Sequence, residues 1–215
     1  MGVDTVDESE APADPAGDAP PTRQGRERKQ QLVDAAAELF AEHGYAKTRI
    51  SDICARAGVA KGLFYWYFPT KLDLFAELVR TMRRRLRQAQ AAAFRPDDDA
   101  VGRIVHGAEA SVLFMAEHAN YFALVDVEKG DPALADVLSD GSGVYLADVR
   151  NLIGEAQGDG LLPDIDPQVL AIGVLGAVSS YCNAWRSGRL DITPAELATH
   201  VGVWVSNALT GGSHT

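Results

Sequence analysis

Three times in its second half this chain sets a helix-capping side chain directly before a proline: Asp131-Pro132, Asp166-Pro167 and Thr193-Pro194. The side-chain oxygen of Asp or Thr accepts a bond from one of the backbone N–H groups that the first turn leaves without a partner. Proline, with no N–H and a fixed φ, fits best as the first helical residue. Glu196, three residues after Thr193, completes a capping box, and Thr70 with Asp73 repeats the arrangement earlier. Asp97 to Asp99 place negative charge where a helix dipole favours it. Between these starts the apolar residues recur three and four apart. Leu32, Ala36, Leu39 and Phe40 precede Gly44; Ile50, Ile53 and Ala57 precede Gly58, with Thr48 as the expected cap; Leu72, Phe75, Val79, Met82 and Leu86 run toward Phe94. No strand-like alternation, internal repeat or glycine-rich phosphate loop interrupts this pattern, so the fold class is all-α. The "DGSG" at 140–143 predicts a turn or a helix break.

Charge divides the chain. The 215 residues carry a formal net charge of −10, which argues against nucleic acid as a partner for the whole molecule. Residues 1–21 sum to −6, residues 22–95 to +8 and residues 96–215 to −12. A basic block between acidic ones suits a polyanion that meets one segment only. Residues 1–25 are rich in Asp, Glu, Pro, Ala and Gly and hold too few large apolar side chains to offset the entropy of ordering, so they are expected to be a disordered acidic tail. Cys54 and Cys182 stand far apart in no metal-binding or redox spacing. The start of the chain lacks a signal pattern, and the most apolar stretch, 169–182, falls short of the roughly 20 residues a bilayer needs. The expectation is a cytoplasmic protein.

The stretch "VAKGLFYWYF" at 59–68 ends in five successive aromatic residues, nearly a third of all those in the chain. A helix turns about 100° per residue, so five in a row cover every face and cannot all be core. Phe64 and Phe68, four apart, belong inside. Tyr65 and Trp66 then point outward with Gly62, whose missing side chain lets a partner come close. A contiguous exposed aromatic ridge marks a contact surface. A short helix, a turn at Gly58 and a third helix in front make a helix-turn-helix, whose second helix enters a DNA major groove. Lys61 can reach a guanine edge or a phosphate, and Lys71, in the first turn of the next helix, opposes the helix dipole unless an anion binds there.

"TRISDICARAGVAKGLFYWYFPTKLDLF" resembles the DNA-binding domain of the TetR/AcrR family of transcriptional regulators. The matching positions are Thr48, Ile53, Ala57, Gly58, Val59, Gly62, Tyr65, Phe68, Lys71 and Leu74, with Cys54, Phe64 and Tyr67 as departures from the family's Ala, Leu and His. The resemblance implies groove contacts from Lys61, Gly62, Leu63, Tyr65 and Trp66, and phosphate contacts from Thr48, Tyr67 and Lys71. It further implies a helix-turn-helix domain over 26–76, a helical-bundle ligand-binding and dimerisation domain over 77–211, and a tail at 212–215. The protein would then be a ligand-responsive repressor that holds a palindromic operator as a homodimer and is released by a small-molecule effector of partly apolar character.

Other features weigh less. Arg80, Arg83, Arg84 and Arg87 share one helix face, which reads either as a strip for the DNA backbone or, preferably, as a solvated face or partner for the acidic C-terminal half. Gly173, Gly176, Ala177 and Ser180 form a stripe that lets another helix approach. With Val201, Trp204, Val205 and Ala208 of the last helix they are the expected dimer interface, although periodicity alone equally allows an intramolecular core. Phe114, His118, Tyr121, Tyr145, Asn183 and Trp185 are polar or aromatic residues in apolar helices and are the candidate ligand pocket. His106, Glu109 and His118 lack a fourth ligand, so no metal site and no cofactor are expected. An all-α enzyme and a non-specific DNA-binding protein are the alternatives; no nucleophile elbow, HExxH or P-loop supports the first.

Overall fold

The computed structural model describes residues 23–211, apart from the side chains of residues 140–144. Most of the expected acidic tail (1–22) and the short tail at 212–215 lie outside the described residues. Residues 23–25 do not belong to a tail: they open the first helix, where Arg23 pairs with Glu27 at 3.0 Å.

All regular structure among the described residues is helical. The order is α1 (Arg23–His43), α2 (Ile50–Ala57), α3 (Lys61–Tyr67), α4 (Lys71–Ala93), α5 (Ala100–Glu117), α6 (Ala119–Glu128), α7 (Pro132–Gly158), α8 (Pro167–Arg186) and α9 (Pro194–Thr210). The local start signals operate as the sequence predicts. Thr70 and Thr193 each accept from the third residue's N–H while Asp73 and Glu196 bond back to the cap. Asp99, Asp131 and Asp166 each accept an N–H of their own first turn. Gly58 ends α2 at φ 65°, a left-handed turn that glycine adopts without the steric penalty of a side chain.

Two expectations need correction. Thr48 does not cap α2. Arg49 occupies that position, and Thr48 is buried with its hydroxyl donating to the carbonyls of Gly44 (2.8 Å) and Leu39 (3.2 Å). Nor does 140–143 break the chain, since α7 passes straight through it. Each glycine costs a helix about 1 kcal/mol relative to alanine, and packing of α7 on α4, α5 and α8 outweighs that.

Two apolar clusters make the interior. The first joins the buried faces of α1 to α4, including Leu32, Phe40, Phe64, Phe68 and Phe75, to Phe114, Leu124 and Leu134 of α5, α6 and α7. The second binds α5, α7, α8 and α9, with Val112, Ile153, Val178, Val201 and Val205 at its centre. Gly202 brings α9 onto α5: a Cβ there would stand 2.2 Å from the Glu109 carboxylate. The boundary expected at 76/77 falls inside the continuous helix α4, whose Leu74 and Phe75 on one side and Leu78 and Val79 on the other share one core. No helix among the described residues is long and apolar enough to cross a membrane.

Candidate nucleic-acid interface and interior cavity

The aromatic run sorts as helical geometry requires. Phe64 is 0% and Phe68 3% exposed, whereas Tyr65 is 49% and Trp66 60% exposed. Lys61 and Gly62 lie on the same open side, with Leu63 half-buried, and a Cβ on Gly62 would meet nothing within 4 Å. The Lys61 ammonium stands 5.8 Å from the Tyr65 ring centroid, so cation and ridge form one surface. Behind it, α2 is tied to α1 by Arg56, which bonds Glu38 at 2.8 Å and Glu42 at 3.1 Å. The Arg56 hydrogen bond holds the Glu42 carboxyl below its ordinary pKa.

The three residues expected on phosphates are engaged elsewhere. Thr48 spends its hydroxyl proton on buried carbonyls. Tyr67 donates its phenol to the Gly25 carbonyl at 2.9 Å, fastening α3 to the start of α1. Lys71 donates to the carbonyls of Tyr45 (2.7 Å), Thr48 (2.9 Å) and Ala46 (3.4 Å), and lies 4.3 Å from the Tyr45 ring centroid. Burial lowers the Lys71 pKa, and the nearby Glu128 carboxylate only partly opposes this. Lys71 is thus the clamp that stitches the first turn of α4 to the α1–α2 turn, which explains a cation placed against the helix dipole. Lys71→Met should therefore lower stability by about 2 kcal/mol, the worth of charge-assisted hydrogen bonds. Thermal melts check the loss. The slope of DNA affinity against salt should stay unchanged, whereas removing a cation that binds phosphate would reduce it by about one.

A second tie reaches the same turn from the other half of the molecule. Glu128, at the end of α6, accepts the Tyr45 backbone N–H at 2.9 Å. Helix α6 also walls a cavity of about 610 Å³, along with α4, α5, α7 and α8. Its lining is mainly apolar, with Val79, Met82, Leu86, Phe122, Leu138 and Val178 among the contributors. Of the six pocket candidates, Tyr121 and Tyr145 line it. Burial pushes the Tyr121 phenol up to about 12 and raises that of Tyr145 as well, so both stay protonated donors at neutral pH.

The other four candidates are not in the lining. Phe114 belongs to the first core cluster. His118 packs edge-on against Phe114 at 4.3 Å. Trp185 donates its indole N–H to the Ile192 carbonyl at 2.9 Å. Asn183 is exposed and bridges Asp126 and Arg189. Sequence reasoning missed Asp126, Lys129 and Arg186, which meet at the cavity wall. Burial opposes ionisation of Asp126, but Lys129 at 2.7 Å, Asn183 and Arg186 outweigh it and hold the pKa below the ordinary value. The i,i+3 spacing of Asp126 and Lys129 is the one available signal; nothing local announces Arg186.

Two arginines of the α4 face, Arg83 and Arg87, reach α7, and the other two bond within α4. Arg83 donates to the carbonyls of Val137 and Leu138, Arg87 pairs with Asp148 at 3.0 Å, Arg80 pairs with Glu77, and Arg84 donates to the Thr81 hydroxyl. These bonds favour the partner-for-the-C-terminal-half reading over a DNA strip.

At the expected interface, Gly173, Gly176 and Ser180 of α8 and Trp204 and Ala208 of α9 are exposed, and Ala177 is half-buried. Val169, Ile172 and Val203 extend this surface with exposed apolar side chains. Val201 (1% exposed) and Val205 (0%) must be removed from it, because they point into the chain's own core against α5. Helix α9 is apolar on two sides, and its period does not say which side faces the chain itself.

Known proteins match the segment that carries the ridge and share the helical fold. The family model described as "Bacterial regulatory proteins, tetR family" matches residues 32–78, the segment from α1 into α4 that carries the ridge. The segment that carries the ridge matches that family. The "HTH-type transcriptional regulator AcrR" of Shigella flexneri is 38% identical over 56 residues, 26% of this chain and 26% of that protein. The "Probable acrEF/envCD operon repressor" of Escherichia coli K12 is 28% identical over 167 residues, covering 73% of this chain and 75% of the relative. Among solved structures, a TetR-family regulator from Rhodococcus sp. superposes with a TM-score of 0.75 at 20% identity, over 86% of this chain and 99% of that one. The likeness of fold therefore covers most of the chain, whereas the family model is confined to residues 32–78.

Proposed function

We propose that this chain is a TetR/AcrR-family repressor that holds a palindromic operator as a homodimer and lets go when a small, partly apolar molecule fills the 610 Å³ cavity. One observation carries the reading: the surface formed by Lys61, Gly62, Tyr65 and Trp66 stands open on α3 while Phe64 and Phe68 anchor the same helix in the core. In the groove, Lys61 offers a cation to guanine or phosphate, and the rings of Tyr65 and Trp66 offer apolar contact to thymine methyls and N–H or O–H donors to phosphate oxygens. Leu63 and Gly62 set how closely α3 approaches. Thr48, Tyr67 and Lys71 act indirectly, by fixing the α1–α2 turn and the angle of α3.

The exposed residues of α8 and α9, with Gly173, Gly176, Ala177, Ser180, Trp204 and Ala208 at the centre, meet a second copy. Only a dimer sets two recognition helices the roughly 34–36 Å apart that successive major grooves demand. Coupling follows from the two ties on the α1–α2 turn, Lys71 from α4 and Glu128 from α6, since both helices line the cavity. An effector that favours a displaced arrangement of α4 and α6 by ~3 kcal/mol shifts the equilibrium more than a hundredfold. The test is selection of genomic fragments by the purified protein, followed by salt-series gel shifts. A repressor holds a few fragments far more tightly than bulk DNA. Equal affinity for every fragment would indicate a non-specific binder, and no binding would remove the reading.

A further inference from the structure

Three hollows meet at one residue. The 610 Å³ cavity, a second of about 360 Å³ between α4, α5, α7 and α8, and an open cleft of about 660 Å³ beside α4 are all lined by Tyr145. Among the described residues Tyr145 alone borders all three. Its phenol oxygen is fully buried and has no hydrogen-bond partner among the described residues. Its neighbour Ser111, shared by the two inner cavities, is satisfied: it donates to the Gly107 carbonyl at 2.7 Å and accepts from Gln90 at 2.8 Å. Among the described residues Tyr145 is thus the orphaned donor at the junction, and a buried donor without an acceptor is a cost that a ligand atom can relieve.

The outer cleft gives that junction a sign. Its described walls are Arg80, Arg83, Arg84 and Arg87 with Gln88, Ala91 and Tyr145, and no described carboxylate lines it. Glu77 and Asp148 offset Arg80 and Arg87 from behind, while Arg84 bonds the neutral Thr81 hydroxyl. A cleft whose described charged side chains are all of one sign raises the local concentration of the opposite ion. Past Tyr145 the wall of the large cavity is mainly apolar, with Val79, Met82, Leu86, Leu138, Leu175 and Val178, and its one described carboxylate, Asp126, is paired with Lys129 and Arg186.

We infer that the effector is an amphiphilic acid: it enters through the arginine-lined cleft, leaves its anionic head between the arginines and the Tyr145 hydroxyl, and lays its apolar body in the 610 Å³ cavity. The inference rests on the reading of that cavity as the effector site. It also gives the arginine face of α4 a task beyond its bonds to α7.

Calorimetry on the full chain without DNA tests it, using dodecanoate, dodecanol and dodecylamine below their micellar concentrations. Dodecanoate should bind at least tenfold more tightly than dodecanol, and dodecylamine more weakly than either. Tyr145→Phe and Arg84→Gln should each weaken dodecanoate three- to tenfold, and Arg84→Gln should leave the uncharged dodecanol unchanged, which shows that the cavity is intact. Equal binding of acid and amine, or an acid preference that survives both substitutions, would overturn the inference, as would a protein that ignores all three probes. Gel shifts on the same samples keep the two readings apart. Operator binding without acid binding rejects the amphiphile and leaves the repressor; acid binding without any DNA binding does the reverse.

Discussion

The Tyr65→Ala, Trp66→Ala double variant should fold as the parent does and lose most of its hold on the operator. Both side chains stand in solvent, so their removal opens no cavity, and alanine is the best helix former available for α3. Its melting temperature should match the parent's within the range of ordinary surface changes. Its operator affinity should fall by about 1–3 kcal/mol for each side chain taken out of the groove, roughly fivefold to 150-fold per residue. Fluorescence anisotropy with a labelled operator reads the loss. Phe64→Ala provides the contrast on the same helix. There a fully buried ring disappears, and about 3–5 kcal/mol of stability goes with it.

A second large effect is expected from Gly176→Arg. Within one chain a Cβ at this exposed position would meet nothing within 4 Å, so the protomer should remain folded. Between two chains an arginine would stand in the middle of the apolar surface made by Val169, Ile172, Val203 and Trp204. The dimer should separate in sedimentation analysis. Operator affinity should then drop by roughly a hundredfold or more, because two linked recognition helices gain from effective concentration what one helix alone does not have. An unchanged dimer would place the interface elsewhere. A monomer that keeps full operator affinity would contradict the two-half-site arrangement.

What residues alone make legible is local. Capping boxes at Thr70 and Thr193, the left-handed stop at Gly58 and the outward turn of Tyr65 and Trp66 depend on neighbours within a turn or two, and each stands as expected. What stays hidden depends on partners distant in sequence. Lys71 reads as an anion site because the three carbonyls that hold it come from a turn more than twenty residues away. Tyr67 misleads for the same reason, its acceptor lying at the start of α1; Thr48 misleads although its acceptors are near, because nothing in the residue types says that its hydroxyl turns back to α1 instead of forward to α2. Val201 and Val205 follow the helical period faithfully, yet the period is silent about whether α5 or a second chain covers them. The cavity is the least legible feature. It is a space left by five helices, and the residues around it, such as Met82 and Leu86 of α4, carry the same apolar pattern as a filled core.

Hydroxyl-radical footprinting of a selected genomic fragment, with the parent protein at saturation, tests the operator-binding dimer most directly. Two protected patches are expected on one face of the duplex, related by a two-fold axis and about 34–36 Å apart, both absent with the Tyr65→Ala, Trp66→Ala variant. Continuous protection that ignores sequence, or an unchanged pair of patches with that variant, would contradict it.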